Sequence, residues 1–130
     1  APREPTPVAA SFAKTWDAAI DAFAARNIPI RSVERASGFI AAEPAIATDD
    51  ANADCGSSVI GERLSPERAV YNVIVRGDST RSTVRVTARW TAVYGEGRDA
   101  LVEECSTTGR WEAELEAQIK ARAEREAAGY

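Results

Sequence analysis

The chain has 130 residues, a net charge of -4, and 45% hydrophobic and 28% charged residues. This is the length of one domain with ordinary globular usage, which argues against a disordered chain. The acidic balance argues against a dedicated nucleic-acid binder, and no apolar run reaches the roughly 18 residues of a membrane helix.

The opening "APREPTPVAA" carries Pro2, Pro5 and Pro7. It reads as an extended tether or an ordinary frayed terminus over residues 1–7, ahead of a single domain over 8–130. Thr6 and Pro7 predict a helix start, a capping hydroxyl followed by proline at the first helical position. Val8, Phe12, Trp16, Ile20 and Phe23 recur at helical spacing, and Asn27 suits the C-terminal cap.

Two strands follow, "IPIRSVE" and "GFIAAE", joined by a tight turn around "RASG", with the register left open. Residues 45–68 form a long polar connection, which in a compact domain is functional, pinned or mobile. Tyr71, Val73 and Val75 lie on one face of the next strand. Val84, Val86, Ala88, Trp90, Ala92 and Tyr94 lie on one face of its partner. Odd positions must face even ones, so a two-residue loop at Asp78 and Ser79 is expected, pairing Tyr71 with Val86 and Val73 with Val84.

"YGEGRD" is a turn and "ALVEE" a short fifth strand ending at Cys105. Thr107 or Thr108 then caps a last helix with Trp111, Leu115, Ile119 and Ala123 in register. The order helix, about five antiparallel strands, helix predicts an α+β domain with both helices on one face of the sheet and the three tryptophans inward.

The chain contains no histidine. That removes Ser-His-Asp and Cys-His catalysis and most zinc sites, and neither Lys14 nor Lys120 has a marked serine partner. Glu103 and Glu104 should point to opposite faces of a strand, and Glu112 and Glu116 fall on the charged outer side of the last helix. A non-enzymatic domain is therefore expected. "DANADCG" spaces Asp50, Asn52 and Asp54 like the first oxygen ligands of a calcium loop. Its glycine, Gly56, and its closing acid, Glu62, each come one place late. The reading is a solvated acidic loop and no cofactor, with calcium on Asp50, Asn52, Asp54 and Glu62 as the alternative.

Arg81, Arg85 and Arg89 share the outward parity of the second long strand, with Arg76 opposite Arg81 in the expected register. Such a row is a solvated or charge-protected sheet face, or a docking stripe for an anionic partner. Cys55 and Cys105 are not spaced as C-x-x-C and have no histidine to activate them. The leading reading is a disulfide that pins the 45–68 connection and places the protein outside the reducing cytosol, and two separate thiols are the alternative.

"FAKTWDAAIDAFAARNIPIRSVERASGFIAAE" resembles the start of BamC-like domains of bacterial envelope lipoproteins. "CSTTGRWEAEL" is similar to the segment that introduces the last helix in such lipoproteins. Together they cover about a third of the chain. The resemblance implies a helix-grip-like fold in the periplasm or at the outer membrane, tethered by a lipidated cysteine upstream, with a scaffolding or protein-binding role and no catalytic residues. The expected function is binding of another envelope protein through the sheet near Arg85 and Arg89 or the helix groove near Trp111. The alternative is a carrier of a small apolar ligand, its pocket between sheet and C-terminal helix lined by Trp16, Tyr71, Trp90, Tyr94 and Trp111.

Overall fold

The structure is a computed structural model and describes residues 4–42, 45–46, 50–57, 61, 64–94 and 101–129. In chain order the elements are β1 (Thr6–Val8), α1 (Phe12–Ala25), β2 (Ile30–Glu34), β3 (Phe39–Ala42), β4 (Ala45–Ile46), β5 (Ala53–Asp54), β6 (Arg68–Gly77), β7 (Ser82–Tyr94), β8 (Leu101–Thr107) and α2 (Arg110–Ala127). The sheet runs β2-β3-β6-β7-β8-β5, with β1 added to β7 and β4 to β6, every pairing antiparallel. The five expected strands are β2, β3, β6, β7 and β8, and the additions are two or three residues long.

Both helices pack on one face, which gives the expected α+β two-layer domain. Val73, Val75, Val84, Val86 and Trp90 point into that layer at 2% exposure or less, against Phe23, Leu115 and Ile119, each fully buried. Alternation along β6 and β7 and the helical stripes thus converge on one core, as a sheet with one wet face requires. Trp16, Trp90 and Trp111 are all buried.

The first helix begins later than the Thr6-Pro7 signal predicts. Thr6 and Pro7 sit in β1, opposite Val84 and Thr83 of β7. This pairing overrides the local cap signal because it carries Val8 into the core, and an edge strand tolerates a proline. Ser11 caps α1 instead, its hydroxyl accepting the Lys14 amide at 3.2 Å. The other end is as expected, with Asn27 in the left-handed region at φ 55°.

The long hairpin keeps the expected parity but not the register. Tyr71 pairs with Ala88, Val73 with Val86, Val75 with Val84 and Gly77 with Ser82, leaving a four-residue loop over residues 78–81. Asp78 explains the extra pair of residues. Its Oδ1 accepts from the Thr80 amide at 2.9 Å, the Thr80 hydroxyl at 3.1 Å and the Arg81 amide at 3.0 Å. Its own amide donates to the Arg81 carbonyl at 2.9 Å, so the side chain organises a longer turn than a dipeptide. Backbone hydrogen bonds from Thr80 and Arg81 hold this carboxyl below its usual pKa.

The "RASG" turn is a single 3-10 turn over Arg35–Ser37 closed by Gly38 at φ 71°. A Cβ at Gly38 would collide with the Val75 carbonyl oxygen, so glycine permits the turn to rest on β6. Residues 95–99 of "YGEGRD" lie outside the described residues. Strand β8 continues past Cys105 to Thr107, and Gly109, rather than either threonine, is the N-cap of α2. The two hydroxyls still serve this end, accepting the Gly109 amide at 3.1 Å and the Arg110 amide at 3.4 Å. Among the described residues no helix is long and apolar enough to cross a membrane.

Candidate docking face and the network behind it

The sheet face away from the helices carries the outward residues of β6 and β7. Arg85 lies opposite Ile74, and Arg89 opposite Val70. Arg31 from β2 and Arg68 from β6 join Arg89 around a depression of about 390 Å³ whose wall also includes Val70, Asn72 and Thr91. Arg89 pairs with Glu104 of β8, with both Nε and Nη2 at 3.1 Å from Oε1, and the pair is largely solvated. Among the described residues this is the one ion pair on the face, so its balance stays cationic. Val102 on β8 shares the outward parity of Glu104 and is 68% exposed.

The expected arginine stripe divides in two. Arg85 and Arg89 belong to this face. Arg81 lies in the loop beyond it, and Arg76 faces Thr83 instead of Arg81. Arg76 Nη1 donates to the carbonyls of Ser37 and of Val75, the latter at 3.3 Å, which fixes it against the β2–β3 turn. Arg31 and Arg68 were absent from the sequence reading. Carrying the β6 alternation back past Val70 would have found Arg68. The bulge between Ile30 and Ser32 hid the parity of Arg31.

On the other face, Tyr71 and Trp111 stack with centroids 4.0 Å apart, and Trp90 meets them edge-on at 5.8 and 6.0 Å. Three of the five rings of the expected ligand pocket are thus packed on one another. Trp16 lies elsewhere on α1, stacked on Phe12 at 5.8 Å, and the Tyr94 side chain lies outside the described residues. The Arg26 guanidinium sits 5.4 Å over the Trp111 ring while its Nε donates to Gln118 Oε1 at 3.0 Å. Burial pushes the Tyr71 hydroxyl up to about 12, with Arg26 opposing and Glu112 adding to the shift.

Glu112 and Glu116 correct the sequence reading most sharply. They are 3% and 2% exposed, not solvated. Trp90 Nε1 donates to Thr107 Oγ1 at 3.1 Å, and that hydroxyl donates to Glu112 Oε2 at 2.5 Å. Glu112 Oε1 is buried without a partner among the described residues. Glu116 accepts the Thr6 hydroxyl at 2.7 Å and the Val86 amide at 2.8 Å. Periodicity marks these positions polar, but Thr6 of β1, the Val86 amide within β7 and Thr107 of β8 supply donors that make burial tolerable. Glu103 and Glu104 do point to opposite faces, opposite Ala92 and Thr91 respectively.

Cys55 and Cys105 form a disulfide with Cα atoms 4.1 Å apart. It fastens β5 and the 3-10 turn over Asp50–Asn52 to β8, helped by the Thr108 amide donating to the Asn52 carbonyl at 3.0 Å and its hydroxyl to the Ala51 carbonyl at 2.8 Å. Asn52 of the calcium-like stretch is buried, and the Asp54 carboxylate accepts the Gly56 amide at 3.0 Å. The Asp50 side chain and Glu62 lie outside the described residues. Among those described, no three acidic, cysteine or histidine side chains gather as a metal-binding group.

No protein-family model and no curated protein matches the chain.

Proposed function

We propose that this chain is a non-enzymatic protein-binding or scaffolding domain of the bacterial cell envelope that docks an acidic surface of another envelope protein on the outer face of its sheet. The observation that carries the reading is the sheet face away from the helices, which no other element covers among the described residues. Arg31, Arg68 and Arg89 gather around its depression and Arg85 shares the face, with Glu104 the one acid paired to them among the described residues, beside exposed Val102. Arginine beside an exposed apolar side chain suits an interface, since guanidinium groups fork onto carboxylates and lose little on partial dehydration.

The disulfide supports a compartment outside the reducing cytosol, and the resemblance of residues 12–43 and 105–115 to BamC-like lipoproteins supports the periplasm or outer membrane, with tethering through a lipidated cysteine upstream. The complete lack of histidine supports a binding role over acid–base catalysis near neutral pH. In-cell crosslinking from the outer face tests the reading. Arg85→Glu with Arg89→Glu should abolish a specific envelope crosslink that the unaltered chain gives, and raised salt should weaken it. A crosslinking pattern untouched by the double reversal would remove this face from the function.

A further inference from the structure

We propose a second site, independent of the outer face, at the end of the sheet: a groove that binds a carboxylate attached to an apolar or aromatic group. The groove has a volume of about 720 Å³ and lies between the Arg35–Ser37 turn, the first turn of α1 and the end of β6. Its apolar wall is Phe12 and Val75, and its charged wall is Arg35 and Arg76. Each element is held in place by hydrogen bonds. The Phe12 amide donates to the Asp78 carbonyl at 2.8 Å, the Val75 amide to the Gly38 carbonyl at 2.8 Å, and Arg76 Nη1 is tied to the turn.

Among the described residues the charge of this groove has no acidic counterpart. No acidic side chain among those described lines it, and the nearby Asp78 carboxylate accepts three hydrogen bonds inside its own turn. Arg76 spends Nη1 on two carbonyls, so Nε and Nη2 have no partner among the described residues. The Arg35 guanidinium lies 5.9 Å over the Phe12 ring, which leaves its fork beside an aromatic surface. Two guanidinium groups converging on an aromatic and aliphatic wall match a planar carboxylate with an apolar body better than a compact, fully hydrated anion. A small aromatic acid and a peptide ending in phenylalanine both present that chemistry.

The test is an amide-resolved NMR titration of the whole chain with 3-phenylpropionate, a short peptide ending in phenylalanine, its amidated counterpart and inorganic phosphate. The expected result is saturable shifts at Ala36, Gly38 and Gly77 with at least one carboxylate probe, and none with the amide. Response to 3-phenylpropionate alone assigns a small-molecule acid, and response to the peptide alone assigns a chain terminus. Arg35→Ala should weaken binding about tenfold, the scale of one charge-assisted hydrogen-bonded contact, without altering the circular dichroism spectrum. Arg85→Glu with Arg89→Glu should leave it unchanged, which separates this site from the outer-face reading. Binding of the amidated peptide or of phosphate as tightly as the carboxylate probes, or no shift in the groove with any probe, would overturn the proposal.

Discussion

Glu116 Oε2 accepts the backbone amide of Val86 at 2.8 Å, so a helix side chain completes the edge of a strand. The relationship arises because β1 leaves β7 at Val84 and β8 joins it only at Trp90, leaving an interval between the two pairings. The other carboxylate oxygen takes the Thr6 hydroxyl, which ties α2, β1 and β7 at one point. Glu116→Ala should leave a buried amide and hydroxyl unsatisfied and cost about 1–3 kcal/mol in urea unfolding. Glu116→Gln keeps an acceptor and should recover most of that loss, whereas equal losses for the two variants would mean that the carboxylate charge, not hydrogen bonding, holds the joint.

The same joint marks the limit of what could be read from the chain. Alternation along β6 and β7 and the Trp111-Leu115-Ile119-Ala123 stripe have a period, so strands, helices and layer could be read directly. The burial of Glu112 and Glu116 depends on donors that arrive from residues 6, 86 and 107, and no local pattern records that. The hairpin shows the intermediate case. Parity excludes half of all registers, but choosing among the rest required the Asp78 side chain. The docking face was half legible: Arg85 and Arg89 follow from alternation, while a bulge concealed Arg31 and a misplaced strand start concealed Arg68.

Tyr71 should make the fold sensitive to alkali. Its hydroxyl ionises at the ordinary 10.0 in an unfolded chain and is pushed up to about 12 in the fold, because burial disfavours the phenolate. The unfolded chain therefore releases its proton first, and stability is retained below pH 10 and declines as pH rises toward 12. The full loss corresponds to about 3 kcal/mol, an order-of-magnitude figure from the linkage relation. Urea unfolding at pH 9 and pH 11 should differ for the unaltered chain, and the difference should shrink in Tyr71→Phe. An unchanged pH dependence in the variant would assign the alkaline loss to other groups.

The disulfide closes a loop of 50 residues. Its chain-entropy contribution is about 4 kcal/mol, so Cys55→Ser with Cys105→Ser should lower the melting temperature markedly under conditions where the parent is oxidised. Hydrogen exchange should show the change locally as well, with amides of residues 51–56 losing protection before those of β6 and β7. Uniform loss of protection across the sheet would show that the bridge stabilises the whole domain rather than pinning one connection.

Asp78 gives the opposite pH sign and tests the register. Its folded pKa lies below the ordinary 3.8, so its contribution is present above pH 3.8 and disappears as the pH falls through the folded value. Asp78→Ala should therefore lower the melting temperature at pH 6, with the gap to the parent narrowing as the pH falls below 3.8. The carboxylate is fully solvent-facing, so the effect should be modest and confined to the hairpin. The variant also removes the side chain that organises the four-residue loop, so the pairs Tyr71–Ala88, Val73–Val86 and Val75–Val84 of the unaltered chain should give way to the shorter loop. Cross-strand NMR contacts should show whether those pairs survive. A shift to the two-residue loop in Asp78→Ala, pairing Tyr71 with Val86, would prove that Asp78 alone sets the register, whereas retention of the present pairs would assign it to the packing beneath α1 and α2.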